Sequence, residues 1–251
     1  MSPAIILLPC VPVRASASDR SEMTDQLLFG DKVEVLQQEE RWSLVRSLAD
    51  GYEGWVDNKQ LTLLNAETMM EVEQWDAVVG TPTDTILLTR NEQSQPMTIP
   101  MGSHVPRESC QIAGMTLQGL HPTVLGNIVD TAKQLIGAPY LWGGKTLMGI
   151  DCSGFVQTVF RTQGLWLPRD AYQQEQKGIR VDNVQQCVAG DLLFFSNPEG
   201  RVIHVGIAMG NGRIIHASGQ VRVDKIDSTG IFNFDEGQYT HRLCSIRRFM
   251  Q

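Results

Sequence analysis

Cysteines are few and scattered in this chain. Its 251 residues hold five, Cys10, Cys110, Cys152, Cys187 and Cys244, an odd number with no Cys-x-x-Cys pair among them. At least one thiol therefore stays unpaired, and a disulfide framework is not expected to organise a chain of this length. A His-Glu-x-x-His run is also missing, so neither common zinc spacing is present and no metal or other cofactor is expected. Basic residues do not dominate: 21 Lys and Arg stand against 28 Asp and Glu, a net charge of −7. That balance argues against DNA, RNA or an anionic wall polymer held by bulk electrostatics. Long apolar runs are absent as well. No stretch approaches the ~18 residues of a membrane span, and no membrane partner is expected. The apolar run 4–8 is cut by Pro9 and no basic residue precedes it. A secretory leader needs both features, so the expected location is cytoplasmic, or periplasmic if a leader once preceded the chain.

What remains is ordinary globular material, 42% hydrophobic and 20% charged, enough for one large domain or two to three small ones. The first half reads as short strands. Val33-Glu34-Val35-Leu36 and Trp42-Ser43-Leu44-Val45-Arg46 alternate, and Gly54-Trp55-Val56 follows the turn residues Ala49-Asp50-Gly51. Strands of this length, with a turn every ~8–12 residues, predict a small barrel. Residues 65–74 read as a polar helical connector, with strands expected at 75–79 and 85–89. Pro100-Met101-Gly102-Ser103-His104-Val105 then echoes Gly30-x-x-Val33 at an offset of 72 residues, which predicts a second barrel. His104 and His121 are read as ordinary packing or surface residues.

The second half carries the chemistry. Tyr140-Leu141-Trp142-Gly143-Gly144 leads into Asp151-Cys152-Ser153-Gly154-Phe155. Phe155, Val156, Val159 and Phe160 recur at helical spacing, so Cys152 opens an amphipathic helix. Free N–H groups and the dipole at a helix start favour a thiolate, one way to make a nucleophile. A base follows in Arg201-Val202-Ile203-His204-Val205-Gly206-Ile207, a β-branched strand. Asn211-Gly212 supplies the positive φ angles of a tight hairpin, and Ile214-Ile215-His216-Ala217 returns beside it. Cys152 as nucleophile, His204 as base and His216 as the group that orients His204 form a complete set. Asp191, after Gly190, is read as a turn cap.

These elements, together with Leu167-Pro168-Arg169-Asp170 and Gly190-Asp191-Leu192-Leu193-Phe194-Phe195, resemble the NlpC/P60 family of cysteine peptidases in order and spacing. The resemblance covers residues 122–251 and implies a papain-like α+β domain, with the cysteine helix packed on an antiparallel sheet that carries both histidines. Leu28-Phe29-Gly30-Asp31-Lys32-Val33 and Gly51-Tyr52-Glu53-Gly54-Trp55-Val56 resemble bacterial SH3-like domains. The implied order is an SH3-like barrel at 1–64, a second at 65–121 and the peptidase domain at 122–251.

The combination resembles γ-D-glutamyl-L-diamino-acid endopeptidases of murein-peptide recycling, which act on peptides with a free N-terminal L-alanine. That resemblance implies a murein tri- or tetrapeptide as substrate and partner, and a monomeric enzyme is expected. By the same comparison Asp151, Tyr52 and Glu22 would meet the alanine ammonium. Tyr140 would face Cys152 and the substrate backbone, with Ser153 at the helix start and its N–H beside that of Cys152 as oxyanion donors. Arg169 and Asp170 would meet the zwitterionic end of the diamino acid. Two other readings stay open: a secreted D,L-endopeptidase acting on intact peptidoglycan, and a wall-peptide binding protein with a decayed site. The intact Cys152, His204 and His216 set weighs against the latter.

Overall fold

The computed structural model describes residues 2–123 and 126–249, which form two compact units, 1–125 and 126–251. In the N-terminal unit a seven-stranded antiparallel sheet runs in the order Met23–Leu28, Cys10–Arg14, Glu53–Asp57, Trp42–Ser47, Lys32–Gln38, Ser2–Ile5, Thr62–Leu63. Alternation explains these strands. Val33, Val35, Val45 and Val56 point inward onto Ala4, Ile6, Val11 and Val13, while their neighbours face out. The three strands anticipated at 33–36, 42–46 and 54–56 are all present, and the three that precede them, with Thr62–Leu63 after them, complete the sheet.

The helix Ala66–Glu73 follows, opened by an Asn65 capping box with Thr68. Beyond it lie a four-stranded sheet, Gln93–Pro100, Thr83–Arg90, Met115–Leu117, Cys110–Ile112, and the short pair Ala77–Val78 and His104–Val105. The echoed sequence elements form the same turn twice. Gly30 N–H donates to Ile6 O at 2.8 Å and Gly102 N–H donates to Val79 O at 2.8 Å. Ile6 N–H reaches Asp31 O and Val79 N–H reaches Ser103 O, each at 2.9 Å. Both glycines have φ near +80 to +90, 81° and 88°, which a side chain resists. The two turns also pack on each other: His104 N–H donates to Phe29 O at 2.9 Å, and Phe29 stacks on Trp75 at 6.1 Å. Ile5, Leu7 and Phe29 thus share one core with Trp75, Val79, Ile86 and Ile99.

In the C-terminal unit the expected antiparallel sheet is present and closes on itself. Leu192–Ser196, Val202–Gly210, Arg213–Ser218, Gln220–Ile226, Gly230–Asn233 and Gln238–Arg248 pair in sequence. The last strand then pairs with both the first and the fifth, giving a six-stranded barrel. Closure removes the exposed edges of an open sheet. Leu193, Phe195, Ala208, Ile214, Ile226 and Ile231 fill its interior. The helix Cys152–Arg161 is buried along its whole length and packs on the second and third barrel strands. Among the described residues, no helix is long and apolar enough to cross a membrane.

Candidate active site

Cys152 stands at the first position of its helix, and Asp151 is the N-cap in extended conformation. The start is tied down by a closed polar network. One oxygen of Asp151 accepts from Gly154 N–H at 2.7 Å and from the Ser153 hydroxyl at 3.2 Å. The other accepts from Gly143 N–H at 2.8 Å. Arg169 donates to both oxygens and also to Ser153 Oγ, at 2.8 Å. Asp151, Ser153 and Arg169 are all buried. The glycines of this motif permit the approach: a Cβ on Gly154 would lie 2.3 Å from Gly144 O.

This geometry gives two of the three residues a contact other than the expected one. Asp151 and Arg169 were anticipated as groups that meet substrate charges, yet they pair with each other at the start of the Cys152 helix. A buried carboxylate with five internal donors has no lone pair directed at an ammonium. Ser153 Oγ belongs to the same network.

The thiol is 6% exposed. Burial, with the nearby Asp151 charge, pushes its pKa up to about 12, against the pull of Arg169 and of the backbone N–H groups of Val205 and Ser153. The helix start therefore favours the thiolate, as the sequence suggests, but burial outweighs it and the resting sulfur is a thiol. His204 moves the opposite way. Burial, then His216 and His241, hold its pKa well below the ordinary value, so it rests as a neutral imidazole. A neutral imidazole can accept a proton, and a neutral thiol must lose one before its sulfur can attack.

The hairpin that carries His204 and His216 forms as its sequence predicts. Asn211 and Gly212 have φ of 52° and 65°, and Gly206 pairs with His216. That register puts His204 and His216 on one face, diagonally across two strands. His204 Nε2 lies 2.9 Å from His216 Nδ1. Gly206 makes room for this: a Cβ there would meet His216 Cβ at 2.8 Å.

Two residues that sequence reasoning overlooked complete the row. Asp224, on the next strand, places Oδ2 3.1 Å from His216 Nε2. His241, on the closing strand, lays its ring on His204 with centroids 4.3 Å apart. Neither carries a local motif. A period-2 count from His216 through the turn at Gly219 would have put Asp224 on the same face, but nothing local points to His241.

The remaining candidates are placed as follows. Tyr140 is held by Gly219 O and bridges to Ile150. Burial, then the proximity of Cys152 and Asp151, push its hydroxyl up to about 12, so it sits near the sulfur. Asp170 caps the short helix Ala171–Glu175 and is partly exposed. Asp191 caps its turn at Val188 N–H and is clasped by Arg248. Tyr52 and Glu22 belong to the N-terminal unit. Tyr52 is half-buried after the Asp50 turn, and Glu22 is exposed before the strand Met23–Leu28. Among the described residues, no three His, Cys, Asp or Glu side chains converge so as to hold a metal ion.

Comparison with known proteins places the chain in a family. Residues 137–248 match the NlpC/P60 family, and residues 13–61 match the bacterial dipeptidyl-peptidase SH3 domain. The γ-D-glutamyl-L-lysine dipeptidyl-peptidase of Bacillus subtilis (strain 168) is 30% identical over 252 residues, spanning 89% of this chain and 80% of that protein. Dipeptidyl-peptidase 6 of Lysinibacillus sphaericus is 27% identical over 255 residues, spanning 89% and 92%. The crystal structure of an NlpC/P60 family protein from Bacillus cereus ATCC 10987 superimposes over 100% of both chains with a TM-score of 0.79 at 22% identity, a likeness of fold. With a cysteine at a helix start, buried histidines on the strands against which that helix packs, and an N-terminal SH3-like domain, this chain belongs to the NlpC/P60 family of cysteine peptidases.

Proposed function

We propose that the chain is an endopeptidase that hydrolyses the γ-D-glutamyl–L-diamino acid bond of murein peptides with a free N-terminal L-alanine, releasing L-Ala-γ-D-Glu for recycling. The observation that carries the substrate is the similarity to a γ-D-glutamyl-L-lysine dipeptidyl-peptidase across both the SH3-like and the peptidase regions. The site supports the reaction. Cys152 Sγ attacks the γ-carbonyl carbon as its proton passes to His204. The N–H groups of Cys152 and Ser153 receive the developing oxyanion, and such a donor is worth roughly 3–4 kcal/mol of barrier. His204 then gives the proton to the departing diamino-acid amine, leaving a thioester. Water, deprotonated by His204, hydrolyses the thioester and restores the thiol.

The substrate contacts are proposed from the family resemblance. Asp170, in the loop after the Cys152 helix, is assigned by that resemblance to the cation of the diamino acid. Tyr140, beside the thiol, is assigned to the substrate backbone. Tyr52 and Glu22 are proposed for the alanine ammonium. We also read residues 65–121 as a second SH3-like module, because its Gly102 turn repeats the Gly30 turn bond for bond.

Mass-spectrometric cleavage of two matched peptides tests the function. One is free L-Ala-γ-D-Glu-L-diamino acid; the other carries N-acetylmuramic acid on its alanine amine. Cleavage of the free peptide alone, abolished in Cys152→Ala, is the expected result. Equal or faster cleavage of the blocked peptide would refute the recycling assignment and identify a hydrolase of intact peptidoglycan. Turnover by Cys152→Ala would refute the nucleophile.

A further inference from the structure

The histidine row does not end at His216. His204, His216 and Asp224 are 5%, 1% and 1% exposed. They are joined by two contacts, 2.9 Å from His204 Nε2 to His216 Nδ1 and 3.1 Å from His216 Nε2 to Asp224 Oδ2. Asp224 is itself clamped. Arg222 Nε donates to Oδ2 at 2.7 Å and a terminal nitrogen donates to Oδ1 at 2.9 Å. Arg222 is steadied in turn by Asp235 at 2.8 Å and Asn233 Oδ1 at 3.1 Å.

An ionised carboxylate only accepts hydrogen bonds. Burial pushes the Asp224 carboxyl up, but bonds from His216 and Arg222 outweigh it and bring its pKa down to about 2, so it is ionised at neutral pH. The proton between His216 and Asp224 therefore sits on His216 Nε2. A neutral His216 then has a bare Nδ1, which can only accept, so His204 must carry its proton on Nε2. The base nitrogen of a neutral His204 is thereby Nδ1, the ring nitrogen outside the row. Reversing the order at any one bond leaves a donor facing a donor or a lone pair facing a lone pair, in a place without solvent to relieve it.

We infer that Asp224, held by Arg222, is a positioning residue that fixes from two residues away which nitrogen of His204 is free to take the Cys152 proton. This rests on the reading of Cys152 and His204 as nucleophile and base. Asp224 touches neither the thiol nor the substrate and acts through His216. In a Ser-His-Asp enzyme, the loss of the carboxylate that holds the tautomer costs ~10⁴ in kcat, and the added histidine here lengthens the same logic by one ring. Among the described residues, His241 also faces the row, its ring tilted against that of His204, and the charge of Glu236 reaches His241.

The test begins on the unaltered protein, without substrate. Nitrogen-15 NMR of histidine-labelled full-length chain at pH 7 should show both His204 and His216 as Nε2–H tautomers. In Asp224→Ala, both should become tautomer mixtures. Alkylation of Cys152 by iodoacetamide should slow, and kcat should fall ~10²-fold or more with KM changed less than ~3-fold, the mark of an effect outside ground-state binding. Asp224→Glu, which keeps a carboxylate, should restore part of the rate and the Nε2–H signals. A wild-type His216 found as the Nδ1–H tautomer or doubly protonated would overturn the inference, whether or not any variant folds. So would unchanged tautomers and a kcat within ~3-fold in Asp224→Ala. The NMR and alkylation measurements involve no peptide. Failure to cleave murein peptides would therefore count against the proposed function and leave the tautomer assignment standing.

Discussion

Replacing Arg169 by methionine distinguishes a support for the nucleophile from a binder of substrate charge. Arg169 and Asp151 have side chains 2% and 4% exposed, and Arg169 makes three charge-assisted bonds, two to Asp151 and one to Ser153. Removing one partner of a buried ion pair costs roughly 3–5 kcal/mol, because the other charge stays behind. Here the remaining carboxylate keeps Gly143 N–H, Gly154 N–H and the Ser153 hydroxyl. These donors bring the expected cost to about 3 kcal/mol, the lower end of that range. With a urea slope of roughly 2 kcal/mol per molar, the unfolding midpoint of the C-terminal unit falls by about 1.5 M. Pulsed alkylation of Cys152, read by peptide mass spectrometry along a urea gradient, reports this unit alone. That matters in a chain of two units, where a global probe mixes two transitions. kcat should fall with stability, since the helix start carries both. A loss below about 0.5 kcal/mol, combined with a raised KM at unchanged kcat, would refute the buried-clamp reading and return Arg169 to the substrate.

Further expectations follow from single contacts. Gly206→Ala places a methyl 2.8 Å from His216 Cβ and 2.7 Å from Ile214 Cδ1. It should cost about 1–3 kcal/mol by overpacking and lower kcat by displacing His216, measured by urea titration and steady-state rates. Gly154→Ala meets backbone, Gly144 O at 2.3 Å, which cannot swing aside as a side chain can. Circular dichroism should show the larger loss of stability of the two, and an equal or smaller one would contradict the geometry. The pH dependence has a definite sign. Burial, then His216, bring His241 from 6.5 to about 4, and His204 lies well below 6.5. Below pH 6.5 the unfolded chain therefore binds more protons than the folded one, and stability should fall from pH 6.5 toward 4. Asp224, brought from 3.8 to about 2, adds stability above 3.8 that is lost as pH falls through 2. His241→Phe should flatten the slope between pH 6.5 and 4 in denaturation midpoints; an unchanged slope would show that His241 does not titrate there. The acid limb of kcat/KM, which reports the free enzyme's base, should likewise lie well below pH 6.5.

Local chemistry alone made much of this protein legible. Cys152 could be placed because a capping Asp, a glycine pair and a 3.6-residue apolar period together specify a helix start. His204 and His216 could be paired because Asn211-Gly212 dictates a two-residue hairpin and a period of two does the rest. The strands at 33–36, 42–46 and 54–56, and the connector at 65–74, were visible for the same reason: their signals lie within a few residues of one another. Tertiary structure decided what long-range register decides. Whether the sheet stays open or closes depends on Gln238–Arg248 pairing on both its edges, and that closure brings His241 onto His204 from 37 positions away. Asp224 becomes part of the row only when the strand after Gly219 takes its register. The roles of Asp151 and Arg169 likewise could not be read along the chain. A carboxylate beside a nucleophile suits a substrate cation or a buried guanidinium equally well in sequence, and only packing shows which charge it meets. Residue types thus determined the chemistry available, while burial and register determined which of those groups face the reaction and which hold it in place.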